Sequence, residues 1–349
     1  MALDPPPFQD APAGGDQIPI TVDVRGLLGR FARLKVAVLG DLVADRYLLT
    51  EPSRLSREAP VLVVRRVSER LILGGAANAA NNLRALGAEV LPLGFIGADD
   101  AGDALLAQLR AGGMATDGVV RSSEYATIAK TRILAGDPHR SKQQLLRVDQ
   151  EPAAPPDQAA KTELKRRILA LVPGVDAIIY SDYGYEAVSD DVFAAAREAF
   201  RGRVAAADSR YRVTAFRGVT IATPNEDEAA AAVGYSIRDE ASLERAGRSL
   251  LERVGSKAML VTRGNQGMSL FEPGRDRFDM PATGEGEVTD VSGAGDTVIA
   301  VLTLALAAGA SYVEGAQLAN AAAGVVVMKA GAAVCTPEEL SASVDRYLR

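Results

Sequence analysis

Short apolar runs recur along this chain, and several end in Asp, Asn or Thr. Leu34–Asp41 (Leu-Lys-Val-Ala-Val-Leu-Gly-Asp) is the first. A strand buried on both faces of a parallel sheet needs such a nearly continuous apolar stretch. Glu89–Ile96, Ala177–Asp182, Val204–Asp208, Val219–Asn225 and Ala258–Thr262 repeat it, with helical stretches between them. Gly74–Leu86, opened by a glycine pair, and Gly102–Ala111 are predicted helices. Alternation of strand and helix predicts an α/β fold with a mostly parallel sheet covered on both faces. Ligands of such sheets sit beyond the carboxyl ends of the strands. Asp41, Asp182, Asp208, Asn225 and Thr262 fall there.

Two excursions, about 46–73 and 119–149, break this rhythm. Val61–Val67, Thr127–Leu134 and Gln144–Asp149 tend to alternate with period two, and the polar turn Gly136–Lys142 joins the last two. That is a hairpin pattern, and the excursions are predicted to pair as a small separate β-sheet, a lid. Residues 1–30, with Pro5, Pro6, Pro7, Pro12, Gly14 and Gly15 near their start, are predicted to be a flexible tail, and 31–349 one domain. Thr297–Ala310 is too short to span a bilayer, and Ala316–Ala333 carries Gln317, Asn320 and Lys329. Both are read as buried helices. Val288–Asp296 is read as ending a strand.

Composition narrows the function. Aromatics are 5% of 349 residues, Trp is absent and the net charge is −6. Nucleic-acid binders usually carry basic excess and stacking platforms, so no nucleic-acid partner is expected. One cysteine, Cys335, excludes an internal disulfide and an all-cysteine metal site and fits the reducing cytoplasm. It reads as a packed small residue. One histidine, His139, excludes a histidine metal site and reads as a surface-loop residue. Neither a signal peptide nor a membrane span is expected.

The chemistry concentrates at Gly293-Ala294-Gly295-Asp296, ahead of the apolar helix from Thr297. Free N–H groups and the positive end of the helix dipole make a helix N-terminus an anion site. Small residues let the anion approach, and Asp296 beside it can accept the proton of an attacking hydroxyl, as phosphoryl transfer requires. A tight turn with Asp as a helix cap accounts for the same residues. No G-x-G-x-x-G follows the first strand and no P-loop occurs.

Asp290–Thr297 resembles the C-terminal motif of the ribokinase-like (PfkB) carbohydrate kinases, and Gly74–Asn82 (Gly-Gly-Ala-Ala-Asn-Ala-Ala-Asn-Asn) their N-terminal motif. Thr223–Glu228 resembles their N-x-x-E motif, and Val261–Gly267 their nucleotide strand-loop. All lie in the family's order across about 34–345. Gly40–Tyr47, Ser53–Val61 and Gly315–Val327 are similar to the kinase domain of the heptose 7-phosphate kinases of lipopolysaccharide-precursor synthesis. Many of those continue into a nucleotidyltransferase domain, and that second activity is expected to be missing here.

The resemblance implies a ribokinase-like three-layer sandwich and ATP-dependent phosphorylation of a sugar or sugar phosphate. Asp296 would be the base, with Gly293, Ala294 and Gly295 the anion hole. Asp45, Gly74, Gly75, Asn78 and Asp208 would hold the substrate, helped by Lys130 and Arg147. Asn225, Glu226, Asp227, Glu228, Thr262, Gly264, Gly267 and Asn320 would border ATP. Glu228 would reach Mg²⁺ through water, and Asp290 and Ser292 a monovalent cation such as K⁺. Relatives often pair their lids, which implies a homodimer.

The chain departs from the heptose-kinase pattern twice. Ser181–Glu186 has Tyr185 where a lysine is usual, and Asp208-Ser209-Arg210 stands for Asp-Pro-Lys. A 7-phosphate would then fall to Arg210, Lys130, Arg132 or Arg147. Lys130, Arg132 and Arg147 read equally well as a solvated strand face. A kinase for another sugar, sugar phosphate or nucleoside is one alternative, and a catalytically silent nucleotide- or sugar-binding regulator another.

Overall fold

The computed structural model describes residues 23–136, 143–284 and 288–348. His139 and most of the expected tail lie outside the described residues. The expected tail boundary at residue 30 is corrected: Val24–Phe31 is a helix, α1, capped by Asp23, with Val24, Leu27 and Phe31 buried on one face.

The chain then runs β1 (Lys35–Gly40), β2 (Leu42–Leu55), β3 (Leu62–Gly75), α2 (Ala76–Ala85), β4 (Glu89–Gly97), α3 (Asp100–Ala111), β5 (Val119–Ser122), β6 (Ile128–Ala135) and β7 (Gln143–Gln150). Next come α4 (Gln158–Leu171), β8 (Ala177–Asp182), α5 (Asp190–Ala199), β9 (Val204–Ser209), β10 (Ile221–Ala222), α6 (Glu226–Val233), α7 (Glu240–Val254) and β11 (Ala258–Thr262). The last elements are β12 (Met268–Phe271), β13 (Phe278–Met280), α8 (Ala294–Ala307), α9 (Tyr312–Val326) and α10 (Pro337–Tyr347).

Among the described residues, nine strands form one sheet in the order β13-β12-β11-β10-β9-β8-β1-β4-β5. It is parallel except at the β11–β12 and β12–β13 edge. One face buries residues of α1, α2, α3, α8, α9 and α10, and the other those of α4, α5, α6 and α7. This is the three-layer α/β sandwich the apolar runs predict.

A second sheet, β3-β2-β6-β7, is the lid. β2 continues the chain of β1 past a single residue, Asp41, and β3 returns directly into α2. The lid is therefore rooted at the carboxyl end of the main sheet. Gly75 makes the return possible: its φ is 55°, and a Cβ there would lie 2.6 Å from the Asp41 carbonyl.

Two boundaries shift. Val119–Ser122 pairs with β4 in the main sheet, so the second lid excursion begins at Ile128. Residues 288–292 form no strand; Val288 and Val291 are exposed, and α8 opens at once. Among the described residues no helix is long and apolar enough to cross a membrane. Cys335 is buried, and burial pushes its thiol up to about 12, which makes it a packing residue.

Candidate active site

The open end of α8 is the centre of the site. Gly293 precedes its first turn with φ 79°, and no side chain caps the helix. A Cβ at Gly293 would meet the Asn78 amide at 2.5 Å, so both conformation and contact require glycine. The first-turn N–H groups lack intrahelical acceptors. Asp296 lies inside that turn and does not cap it.

Asp296 is instead held from outside. Its Oδ2 accepts from Asn78 Nδ2 at 2.7 Å and its Oδ1 from the Tyr183 hydroxyl at 3.0 Å. Asn82 donates to the Asn78 carbonyl, and Thr297 Oγ1 donates to Asn82 Oδ1. Helix α2 thus grips the start of α8 through a buried polar chain. Burial pushes the Asp296 carboxyl up to about 6, against the pull of Asn78 and Tyr183. A buried carboxylate with both oxygens oriented and a pKa near neutrality suits a proton acceptor.

Asp208, at the end of β9, stands beside this helix end; a Cβ on Gly295 would come 3.8 Å from its Oδ2. It makes no hydrogen bond or ion pair among the described residues. Burial, Glu228, Asp296 and Asp182 all push its carboxyl well above the ordinary range. A cavity of about 400 Å³ opens here, lined by Asp182, Tyr183, Asp208, Arg210, Asn225 and Glu228 among others. A cation and bound phosphates would relieve such crowding.

The residues of 33–339 match the pattern of the pfkB family carbohydrate kinases. The chain belongs to that family. It is a carbohydrate kinase. The bifunctional protein HldE of Desulfatibacillum aliphaticivorans is 41% identical over 90% of this chain, and that of Methylococcus capsulatus 42% over 91%. The chain spans 64% and 65% of their lengths. Arabidopsis thaliana ribokinase complexed with ribose and ATP superimposes with TM-score 0.69 at 20% identity, covering 89% of this chain and 98% of that one. Escherichia coli phosphofructokinase-2 with substrates and products gives 0.74 at 17%, covering 90% and 100%. The fold is therefore ribokinase-like.

Against this pfkB frame, the structure brings Asp296, Gly293, Ala294, Gly295, Asp208, Asn225 and Glu228 together. Other expected residues also carry contacts within the protein. Asn78, an expected sugar contact, donates one amide N–H to Asp296, because α2 packs on α8. Asp45 is paired with Arg132 at 2.5 Å, and Gly74 makes room for its carboxylate. Arg147 lies on the exposed strand β7 and binds Asp149 with two nitrogens. Lys130 points its ammonium over the Tyr183 ring at 5.9 Å and makes no ion pair among the described residues.

On the nucleotide side, Asn225 and Glu228 form a reciprocal capping box on α6, so half their polar atoms serve the fold. Glu226 pairs with Arg263, whereas Asp227 lines the cavity. Thr262 bridges to Asn225, which aligns β11 with the start of α6. Gly264 has φ 57° and open space around it. Gly267 is required by packing, since a Cβ there would lie 1.9 Å from the Met280 carbonyl. Asn320 is buried and donates to the Pro281 carbonyl, tying α9 to the 281–284 segment. Beside that segment lies a cavity of about 310 Å³ lined by Gly284, Gly324, Val325 and Met328 among others. Asp290 gives both carboxylate oxygens to the N–H groups of Ser292 and Gly331. Among the described residues no three carboxylate, thiolate or imidazole groups converge as a metal cage. Sequence reasoning missed Tyr183, whose signal was its place just past the end of β8.

Proposed function

We propose that the protein transfers the γ-phosphoryl group of Mg-ATP to a hydroxyl of a sugar phosphate, with heptose 7-phosphate as acceptor and its 1-hydroxyl as nucleophile. The observation that carries this reading is Asp296, oriented by Asn78 and Tyr183 in the first turn of an uncapped helix. The acceptor hydroxyl gives its proton to Asp296 as it attacks. The N–H groups of α8 stabilise the charge on the transferred group. Asp208 and Glu228, unsatisfied by protein partners in one case and half-satisfied in the other, would hold Mg²⁺ in part through water. That ion would neutralise phosphate charge. Asp290 gives one lone pair of each carboxylate oxygen to a backbone N–H, and its remaining lone pairs would take part in holding a monovalent cation.

The resemblance of Gly40–Tyr47, Ser53–Val61 and Gly315–Val327 to heptose 7-phosphate kinases supports the acceptor class, as does the cation supply. Of four candidate cations, Arg132 and Arg147 are paired with carboxylates. Lys130 and Arg210 remain, and they are close enough to repel each other electrostatically. They would meet a terminal phosphate. The cavity beside Gly284 and Gly324 would take the base of ATP. A homodimer covering the outer lid face and a cytoplasmic location complete the proposal.

Phosphoryl transfer from ATP to a panel of sugars and sugar phosphates tests it. Heptose 7-phosphate is expected to give the highest kcat/KM, and the dephosphorylated sugar a far lower one. Asp296→Asn is expected to lower kcat by at least a thousandfold while ATP affinity stays within about threefold. Transfer only to a nucleoside would sink the acceptor assignment. Near-normal turnover of Asp296→Asn would sink the base assignment.

A further inference from the structure

We infer that Asp41 is a positioning residue for the catalytic base, holding the 183–187 turn so that the Tyr183 hydroxyl stays on Asp296. This rests on Asp296 being the base, as proposed above.

Asp41 is the single residue between β1 and β2 and is 1% exposed. Its Oδ2 accepts from the backbone N–H of Tyr183 at 2.7 Å and of Tyr185 at 3.1 Å. Its Oδ1 accepts from Ala187 N–H at 3.0 Å. Three alternate N–H groups of one turn therefore gather on one carboxylate. Without it they would lose their acceptor in a partly or fully buried setting, which the backbone does not tolerate well. The turn does not adopt this shape from local preference. Glu186 carries φ 65°, the only positive value at a non-glycine among the described residues. Asp41 supplies the opposing hold.

What the turn delivers is Tyr183. The ring passes close to Gly75, with Lys130 over it, and its hydroxyl reaches Asp296 Oδ1. Burial and the neighbouring carboxylates push the Tyr183 hydroxyl well above 10, so it remains a donor. A fixed O–H donor favours the charged form of Asp296 and aims its free lone pairs. The other titratable neighbours of Asp296 are Asp45 from β2 and Asp208 from β9. Those facing Asp41 are Asp182, Tyr125 and Tyr185. Among the described residues only Tyr183 joins the two carboxylates directly.

The test is the pH profile of kcat/KM, with ATP and the best acceptor of the panel, for four proteins: the native chain, Tyr183→Phe, Asp41→Asn and the double variant. Tyr183→Phe removes one hydroxyl. It is expected to move the acid limb upward by about half a pH unit or more. Asp41→Asn is expected to move the limb the same way and to lower kcat about tenfold, with KM for ATP within about twofold. The double variant is expected to move the limb no further than Tyr183→Phe, since both act through one contact. Asp41→Glu, which keeps the charge but displaces the acceptor, gives the same readout if Asp41→Asn does not fold. An unmoved limb in Tyr183→Phe overturns the inference, as do additive shifts in the double variant. If Asp296→Asn remains active, the base assignment fails instead, and the two failures are told apart.

Discussion

At the scale of single residues, the site is organised by what holds Asp296 rather than by Asp296 alone. Burial raises its pKa to about 6, because desolvation outweighs two donated hydrogen bonds. With Asp296 as the proposed base, which must be deprotonated to act, activity is expected above this pKa and should fall as pH drops through it. The acid limb of kcat/KM is expected near pH 6, tenfold lower per unit below, and absent from any residual activity of Asp296→Asn. A limb at pH 4 would mean that the carboxylate is far better solvated than its packing against Asn78 and Tyr183 indicates. Asn78 shows why residue roles shift between sequence and structure. Its helix position and amide chemistry were readable, but its partner lies 218 residues away, and no local pattern encodes that pairing.

At the scale of elements, the helix α8 has an N-terminus left open, unlike α1, α3, α4, α6, α7, α9 and α10, which each carry a side-chain cap. Its two glycines are expected to respond oppositely to a methyl group. Gly293→Ala places an L side chain at φ 79° and drives its Cβ into Asn78, so it should cost about 1–3 kcal/mol of stability and lower kcat at least tenfold. Gly295 sits in helical conformation with nothing nearer than Asp208 at 3.8 Å. Gly295→Ala should leave stability unchanged or raised by about 0.5–1 kcal/mol, yet lower kcat by crowding the anion hole. Thermal unfolding midpoints beside kcat check the contrast, and equal destabilisation by both would contradict it. Elements with long apolar runs were legible in sequence, because a doubly covered strand such as β1 or β8 admits little else. Elements that lack such a run were not. The four residues of β5 carry too short a pattern, and Val24, Leu27 and Phe31 of α1 follow a proline-rich stretch that masks their helical spacing. Val288 and Val291 imitate a strand but are exposed.

At the scale of the whole molecule, the lid has two unlike faces. Alternation along β7 places Arg147 and Asp149 on the side of Lys130, Arg132 and Asp45, and Leu146 and Val148 on the other, paired with Ile133 and Thr131. Leu146 is 57% and Val148 52% exposed, and Leu62 and Val67 on β3 are exposed as well. A sheet that keeps apolar side chains on its outer face, with β7 as an unpaired edge, calls for cover. In the proposed homodimer a second copy would supply it in a two-fold arrangement, since the same patch would then meet itself. The native chain is expected to sediment as a dimer at micromolar concentration. Leu146→Glu with Val148→Glu should give a monomer, because four like charges would face each other across the contact. These positions point away from Asp296, so ATP should bind the monomer with little change. The lid would lose its support, however, and water would reach the phosphates. The monomer should therefore show lower kcat and a larger share of ATP hydrolysis without sugar phosphorylation. A native chain that remains monomeric throughout the concentration range would remove the dimer from the proposal and leave the lid to close on the main sheet alone.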